Sequence, residues 1–536
     1  MSYTSFAYLV LIAITCLVYY CVPKKTRWVV LLVSGIVFYL SAGPEELLLF
    51  LAAMTASYIA AQKIGDCNTQ IKALKDDAQL SKEEKKERKN RLGAKKKRYL
   101  WLGIGLPLAI LLVVKYTNFL IGTLYSLVPA LWHGEERSLI RMVVPLGISF
   151  YTFQMIAYMM DVYKGKTEPQ RNYFRHVLYL SFFPSVVQGP IPRYCQLAPQ
   201  LYEGHDFSFD NLKNGATLIL WGFAKKLILA ERLSLFVSTI FDHPSEYEGI
   251  IFAVATVAFS IQIYADFSGC MDIASGTARL FGIILAPNFL RPYFSRTMPE
   301  FWRRWHASLG SWFRDYVFFP FSISSVSLRV NQWARKHFGE GAGRIVSASL
   351  PILVVWILTG IWHGPEWKYV LWGLFHGILI ICSTIFSPLL DRIAKQTGMK
   401  RDCFSFRLFQ MGRTFLLCCV GRVFFRAESV SAAFEILRRM CQTTGLYLLS
   451  PNRLFTYGIN QKNMCIVAIF LVIWLMISIL EEALAAKKEQ KDVLTLFSEQ
   501  NLIFRWAVLY LLLFSVVIFG QYGPGFDVAD FIYEKF

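Results

Sequence analysis

The sequence has little charge. Charged residues make up 17% of its 536 positions, against about 25% in soluble proteins, and the deficit is concentrated in long uncharged stretches. This pattern excludes a cytosolic enzyme, a disordered scaffold and a secreted disulfide module. No Walker loop, dinucleotide fingerprint or G-x-S-x-G elbow is present. The eleven cysteines lack metal-ligand spacing, so we expect free thiols.

Apolar residues are abundant, at 55% of the chain. Uniformly apolar runs of this kind predict membrane-spanning helices, whereas strands of a membrane barrel alternate polar and apolar residues. The fold class predicted is an all-α polytopic membrane protein with about a dozen or more helices. Candidate spans lie near 5–22, 28–43, 46–62, 100–128, 139–160, 176–191, 215–240, 250–285 (two elements), 345–361, 367–386, 408–425, 464–483 and 503–520.

Basic residues predict the orientation of these spans. The net charge is +19, and the segment Lys82 to Arg98 alone carries ten basic residues against three glutamates. In a soluble protein this excess would suggest nucleic acid, but here it follows the positive-inside rule and no nucleic-acid partner is expected. The rule places this segment, Lys24, the loop around Arg335 and Lys487 in the cytoplasm. The N-terminus, the C-terminus and the end of the helix at His363 are then extracytoplasmic.

His363 is the first candidate catalytic residue. It lies in LTGIWHGPEWKYVLWGLFHG (358–377), at the end of a span that carries no charge from Ile345 to Trp362. Ionisable residues at membrane depth are costly and usually functional. Desolvation favours a neutral imidazole, which is a competent general base for a hydroxyl. The structural alternative is a histidine that only caps a helix end, and for His376 in the next apolar run that alternative is favoured.

His306 is the second candidate. Its segment, EFWRRWHASLGSWFRDYVFFPF (300–321), is basic and aromatic. Such a segment is typical of an interfacial helix anchored by tryptophans. Its arginines are equally suited to the phosphates of an activated donor, since guanidinium pairs with phosphate in a bidentate fork. The candidate donor-binding residues are Arg303, Arg304, Arg314 and Trp305.

Two carboxylates lie within apolar sequence in SIQIYADFSGCMDIASG (260–276). Asp266 and Asp272 lack a histidine or cysteine at ligand spacing, so no metal site is predicted. We expect them to be hydrogen-bonded or paired with nearby arginines.

Several sequence blocks resemble the membrane-bound O-acyltransferase family, in its alginate O-acetyltransferase branch. The membrane subunit of teichoic-acid D-alanyltransferase is similar but more distant. The blocks are PLGISFYTFQMIAYMMDVYKG (145–165), FFPSVVQGPIPRY (182–194), QIYADFSG (262–269), PNFLRPYFSRTMPEFWRRWHASLGSWFRDY (287–316) and GIWHGPEWKYVLWGLFHG (360–377). They occur in the family's order, and VFFRAESVSAA (423–433) extends the likeness to the acetyltransferase branch.

The resemblance implies a ring of helices around a central funnel and an O-acyltransferase activity. It implies that His363 is the family's catalytic histidine and His306 its second histidine, which orients the donor or its thioester carbonyl. We expect four regions: N-terminal transmembrane helices (1–62), a basic cytoplasmic loop (63–99), an acyltransferase core (100–427) and C-terminal helices with an extracytoplasmic tail (428–536). No bound cofactor is expected, and acetyl-CoA or an acyl-carrier thioester is the donor substrate.

The resemblance also implies partners. They are membrane lipid, an exported or cell-surface polysaccharide acceptor, an extracytoplasmic transferase of the serine-esterase (SGNH) type and, as the alternative donor, a cytoplasmic acyl carrier. The tail FIYEKF (531–536) is similar to a terminal signature of this branch, which makes Tyr533 a candidate acyl relay or part of a docking site. Competing hypotheses are D-alanyl transfer to teichoic acid, a transporter or lipid flippase, and a scaffold that anchors an extracytoplasmic enzyme.

Overall fold

The computed structural model describes residues 1–127, 145–442, 446–487 and 492–523. These residues form helices and connecting turns, and they divide into two compact units. The first unit comprises residues 1–215 and 274–286. Its helices are Phe6–Cys21, Arg27–Leu40, Pro44–Asp76, Lys82–Leu127, Ile148–Tyr163, Tyr173–Ser181, Tyr194–Glu203 and the first half of Phe209–Phe223, with a 3₁₀ turn at Lys24–Thr26.

The second unit comprises residues 216–273 and 287–536. It begins with the second half of helix Phe209–Phe223, which is followed by a seven-residue π-helix, Ala224–Ala230. It contains the larger share of the long helices. Its remaining elements are Glu231–Phe241, Ile250–Leu280, Pro292–Phe294, Met298–Arg304, Ala307–Phe313, Arg314–Phe318, Phe319–Ser322, Ser325–His363, Trp367–Gln396, Phe404–Arg426, Val430–Gln442, Leu446–Leu449, Pro451–Leu454, Gln461–Ala486, Val493–Ser498 and Leu502–Phe519.

The prediction of an all-α polytopic membrane protein is confirmed. Within the described residues, eight helices are long and apolar enough to cross a membrane, and Phe6–Cys21 is a shorter apolar helix. The eight are Pro44–Asp76, Lys82–Leu127, Ile250–Leu280, Ser325–His363, Trp367–Gln396, Phe404–Arg426, Gln461–Ala486 and Leu502–Phe519. Most of the other predicted spans are present as shorter or interrupted helices.

The predicted span at 176–191 is one of these interrupted segments. Its helix ends at Ser181, and residues 182–192 are irregular yet buried throughout. Buried carbonyls need hydrogen-bond donors, and tyrosine hydroxyls supply some of them. Tyr3 donates to the carbonyls of Phe183 and Pro184, each at 3.0 Å, and Tyr179 donates to that of Pro192 at 3.1 Å. Irregular backbone is therefore stabilised inside the first unit by side chains that are distant in sequence.

One other segment differs from the expected boundaries. The apolar stretch 250–285 was expected to form two elements, and it forms the single helix Ile250–Leu280. In the basic segment 63–99, one helix continues to Asp76 and the next begins at Lys82. Because Lys, Glu and Arg are good helix formers, a charged connection of this composition is readily helical.

A buried ion network lies in the second unit. Lys226 is 2.8 Å from both Asp266 and Glu231, and all three side chains are nearly inaccessible. Lys225 pairs with Asp272 at 2.5 Å. The two aspartates are hydrogen-bonded, which was one of the two expected alternatives, but their partners are lysines and not arginines. The π-helix brings these two lysines, some forty residues upstream, against the helix that carries the aspartates. Removing one member of such a pair leaves a costly buried charge.

All eleven cysteines are free, as expected. Cys270, Cys418 and Cys419 are buried, whereas Cys21 and Cys465 are exposed on apolar helices.

Candidate functional site

His306 lies in a tight connection between two short helices. Met298–Arg304 ends just before it, and it caps the N-terminus of Ala307–Phe313. Its backbone is left-handed, at φ 48° and ψ 52°. This conformation is uncommon for a residue with a side chain, and it persists only where neighbouring contacts fix it.

Asn288 makes those contacts. Its carbonyl accepts a hydrogen bond from the Ala307 amide at 2.9 Å. Its side-chain oxygen accepts from the Ser308 amide at 3.0 Å and from the Ser308 hydroxyl at 2.8 Å. The same oxygen lies 3.1 Å from Nδ1 of His306. One asparagine therefore holds both the strained turn and the imidazole.

The surroundings of His306 are apolar. Its side chain is 3% exposed, the Phe267 ring centroid lies 4.8 Å from that of the imidazole, and the Trp362 centroid lies at 6.0 Å. Burial lowers the pKa of His306 to about 3. The imidazole is therefore neutral at physiological pH.

His363 is the last residue of helix Ser325–His363. Gly364 and Pro365 follow it and end the helix, since proline cannot continue a helix. The imidazole is 3% exposed and packs against the rings of Trp372, at 4.8 Å between centroids, and Phe425, at 5.3 Å. Two other helices thus pack against the second histidine.

Glycines allow two of those helices to approach closely. A Cβ at Gly373 would lie 2.3 Å from the Trp356 carbonyl oxygen, and one at Gly360 would lie 2.4 Å from that of Tyr369. Only a residue without a side chain fits at such distances. This contact fixes helix Trp367–Gln396 against the end of the helix that carries His363.

Both histidines line one cavity of about 650 Å³ in the second unit. One helix contributes a stripe at helical spacing, formed by Ile352, Val355, Trp356, Thr359 and His363. The segment from Pro299 to Phe319 forms much of the remaining wall. The cavity therefore holds two imidazoles within a largely apolar lining, an arrangement suited to general base chemistry on a hydroxyl.

Comparison with known proteins finds similar sequences. The membrane-bound O-acyltransferase family profile matches residues 172–421, a segment that contains both histidines. The chain is 28% identical to a probable alginate O-acetylase AlgI of Pseudomonas syringae pv. tomato, over 84% of this chain and 76% of that protein. Residues 172–421 of the chain are therefore similar to the membrane-bound O-acyltransferase family. The chain is an O-acyltransferase.

Two further relatives are named for acceptors other than alginate. A peptidoglycan O-acetyltransferase of Helicobacter pylori is 28% identical over 68% of this chain and 69% of its own length. A teichoic acid D-alanyltransferase of Bacillus subtilis is 28% identical over 45% of this chain and 59% of its own length. The resemblance predicted from sequence blocks is thereby confirmed, including the more distant position of the D-alanyltransferases.

The arginines predicted to bind the donor separate into two groups in this O-acyltransferase. Arg303 and Arg314 line the cavity. Arg314 is paired with Asp315 at 3.0 Å, whereas Arg303 is exposed and, among the described residues, has no carboxylate partner. Arg304 instead points to Glu300 and Glu482, at 2.8 and 2.9 Å, and does not line the cavity. Its side chain links two helices of the fold.

Trp305 also lines the cavity and is 2% exposed. The guanidinium carbon of Arg422 lies 4.3 Å from the centroid of a Trp305 ring, and Arg422 itself is 3% exposed. A cation stacked on a tryptophan face is stabilising, more so when it is desolvated. Arg422 therefore supports the wall of the cavity from a helix that begins almost one hundred residues after Trp305.

Asn288 and Arg422 were missed by the sequence analysis. Asn288 lies within one of the blocks that carry the family resemblance, and Arg422 directly precedes another. A polar residue in or beside such a block was the available signal. However, Asn288 is 18 positions from its partner His306, and Arg422 is 117 positions from its partner Trp305. No local sequence pattern connects residues at such separations.

Other predicted residues lie elsewhere. His376 is 2% exposed and packs against Trp302, Trp356 and Trp372, and it does not line the cavity of the O-acyltransferase. Within the described ranges no cluster of three metal-ligating side chains occurs. Tyr533 lies outside the described residues.

Proposed function

We propose that this O-acyltransferase transfers an acyl group, for which acetyl is favoured, from a cytoplasmic thioester to hydroxyls of an extracytoplasmic polysaccharide. The observation that carries this proposal is the shared cavity, which both His306 and His363 line together with Arg303. Support for acetyl comes from the relatives: the alginate O-acetylase aligns with 84% of the chain and the D-alanyltransferase with 45%.

His363 is the general base in this proposal. It takes the proton of the acceptor hydroxyl while the hydroxyl oxygen attacks the thioester carbonyl carbon. The carbon–sulfur bond then breaks, an ester forms, and the proton passes to the departing thiolate, which leaves as a thiol. The exchange of thioester for ester is downhill and needs neither a metal nor nucleotide hydrolysis.

Arg303 binds the donor in this proposal. Coenzyme A and the prosthetic arm of an acyl carrier both contain phosphate, for which an unpaired guanidinium at a cavity is well suited. Acetyl-CoA is the favoured donor, and an acyl-carrier thioester is the alternative. Arg314 is a second cation on the same wall, with part of its charge already compensated by Asp315.

The orientation and the partners complete the proposal. Acyl thioesters are made in the cytoplasm, while the polysaccharide lies outside, so a cavity inside the membrane lets the acyl group cross without the bulky donor. The positive-inside rule places both termini outside. A serine-esterase-like transferase would then deliver the group to the polysaccharide, with Tyr533 as the proposed relay.

The test uses cells in which the gene is replaced by its His363→Ala variant. Base-labile acetate and D-alanine released from surface polymers are both measured by mass spectrometry, after insertion of the variant into the membrane is verified. Loss of acetate in the variant supports the proposal. Undiminished acetate excludes the role of His363, and loss of D-alanine in place of acetate would assign the chain to the alternative reaction.

The relay is tested separately. Mass analysis of the C-terminal peptide from wild-type cells is expected to show an acetyl adduct on Tyr533, and the His363→Ala variant should lack it. A tail that never carries the adduct, in cells whose polysaccharide is acetylated, would contradict the relay.

A further inference from the structure

The hydrogen bond between Asn288 and His306 has a direction that a third residue determines. The side-chain oxygen and nitrogen of an asparagine are hard to distinguish by shape alone, so the assignment depends on the partners. The backbone amide of Ser308 can only donate, and it lies 3.0 Å from the Asn288 atom that also faces His306. That atom must therefore be the carbonyl oxygen.

The identity of this atom determines which nitrogen of His306 carries the proton. Nδ1 lies 3.1 Å from the Asn288 oxygen, which has no hydrogen to give, so Nδ1 is the donor. A neutral imidazole has a single N–H. The lone pair is consequently on Nε2, on the opposite side of the ring.

We propose that Asn288 is a positioning residue that holds His306 in the Nδ1–H tautomer, so that Nε2 acts toward substrate as a hydrogen-bond acceptor. The proposal rests on the proposed function for its role in catalysis. It changes the role that the family resemblance implied for His306. Orienting a thioester carbonyl requires a donor, whereas an acceptor nitrogen engages an N–H or O–H, such as an amide of the donor arm or the acceptor hydroxyl.

The backbone supports the same conclusion. His306 adopts its left-handed conformation while the Ala307 and Ser308 amides both donate to Asn288. Two backbone amides therefore hold Asn288 against the turn that carries the imidazole. A hydrogen bond to the ring nitrogen that does not face the substrate commonly fixes the tautomer of a functional histidine.

The first test measures the tautomer directly. The full-length protein in lipid nanodiscs is labelled with ¹⁵N in its histidine rings, and the spectrum of a His306→Gln variant is subtracted to isolate the signals of His306. We expect a protonated Nδ1 and an unprotonated Nε2. The reverse assignment would overturn the inference, whatever the activity of the protein.

Variants then test the part played by Asn288. In Asn288→Ala we expect the tautomer to become mixed or reversed. In Asn288→Asp, which retains an acceptor oxygen, Nδ1 should remain protonated. The matched control is Ser308→Ala, which removes one donor to the same oxygen and leaves the His306 contact, so the wild-type tautomer should persist. An unchanged tautomer in Asn288→Ala would contradict the proposal.

Turnover separates this proposal from the proposed function. For folded protein, Asn288→Ala should lower kcat at least tenfold with little change in KM for the donor, and Asn288→Asp should recover part of the loss. If the tautomer is as inferred but turnover is insensitive to His306 and Asn288, the positioning role fails. If no variant and no wild-type preparation transfers an acyl group from any thioester, the proposed function fails while the tautomer assignment stands.

Discussion

Two pairs of histidines are equally buried in this protein and differ in what they adjoin. His306 and His363 are each 3% exposed, and His176 and His376 are 0% and 2% exposed. The first pair lines a cavity of about 650 Å³. In the second pair, His176 lies 3.0 Å from the Ser57 hydroxyl within the first unit, and His376 is enclosed by tryptophans. All four imidazoles are buried, but only the cavity gives two of them space for a substrate.

The comparison shows why burial is a poor criterion for a catalytic residue. Desolvation acts on any enclosed imidazole, whether it packs a core or faces a site. What distinguishes His363 is its place on the wall of the cavity, at the end of its helix. His376 lies within the continuous helix Trp367–Gln396, and the rings of Trp302, Trp356 and Trp372 pack around its imidazole.

The largest effect is expected from substituting one histidine of each pair. His363→Gln should lower the rate of donor-thioester consumption by about 10²–10⁴-fold, the usual contribution of a general base. His376→Gln, on the neighbouring helix, should retain a rate of the wild-type order of magnitude. Steady-state kinetics in isolated membranes measures both. Equal losses in the two variants would show that the cavity does not distinguish these histidines.

A second prediction concerns the contact between the helix that carries His363 and the helix that carries His376. Gly373→Ala places a methyl group 2.3 Å from the Trp356 carbonyl oxygen, and overpacking of this kind costs about 1–3 kcal/mol. We expect a lower thermal unfolding temperature and a lower kcat, since the helix that ends at His363 must shift. The control is Gly412→Ala, where no heavy atom lies within 4 Å. That variant should be neutral or stabilising, and a Gly373→Ala protein as stable as wild type would contradict the close helix contact.

The third prediction tests whether the cavity binds the donor through Arg303. Arg303→Ala should raise KM for a phosphate-containing donor about tenfold, equivalent to about 1.4 kcal/mol, with a smaller change in kcat. Arg303→Lys should recover part of the affinity because it keeps the charge. A donor fragment without phosphate should bind both proteins alike. If KM is unchanged in Arg303→Ala, donor binding by this arginine is excluded.

The smallest effect is expected at His176. His176→Gln weakens the contact with Ser57, and loss of one buried hydrogen bond costs about 1 kcal/mol. The unfolding temperature should fall slightly, while the acyl-transfer rate per folded molecule should equal that of wild type. Thermal unfolding and specific activity are measured on the same preparation. A variant of normal stability that has lost activity would place His176 in the catalytic machinery and contradict the distinction between cavity and core histidines.

Much of the fold could be predicted from particular segments. The apolar run before His363, the charged segment 82–98 and the ordered family blocks each indicated a helical membrane protein, because a bilayer imposes length and composition on anything that crosses it. The irregular segment 182–192 could not be predicted, since its carbonyls depend on Tyr3 and Tyr179. The pairing of Lys226 with Asp266 was likewise hidden, because it depends on how a π-helix faces a helix further along the chain.

Composition and ordered motifs are properties of the chain, and they were enough to predict the class of the protein, its resemblance to a family and the two histidines of interest. The folded structure adds three relations. The two histidines share one cavity, Arg303 faces it while Arg304 is bound to carboxylates, and Asn288 lies 3.1 Å from Nδ1 of His306. These relations could not be predicted because they join residues that are neighbours in space but separated by many positions, and helix packing alone brings them together.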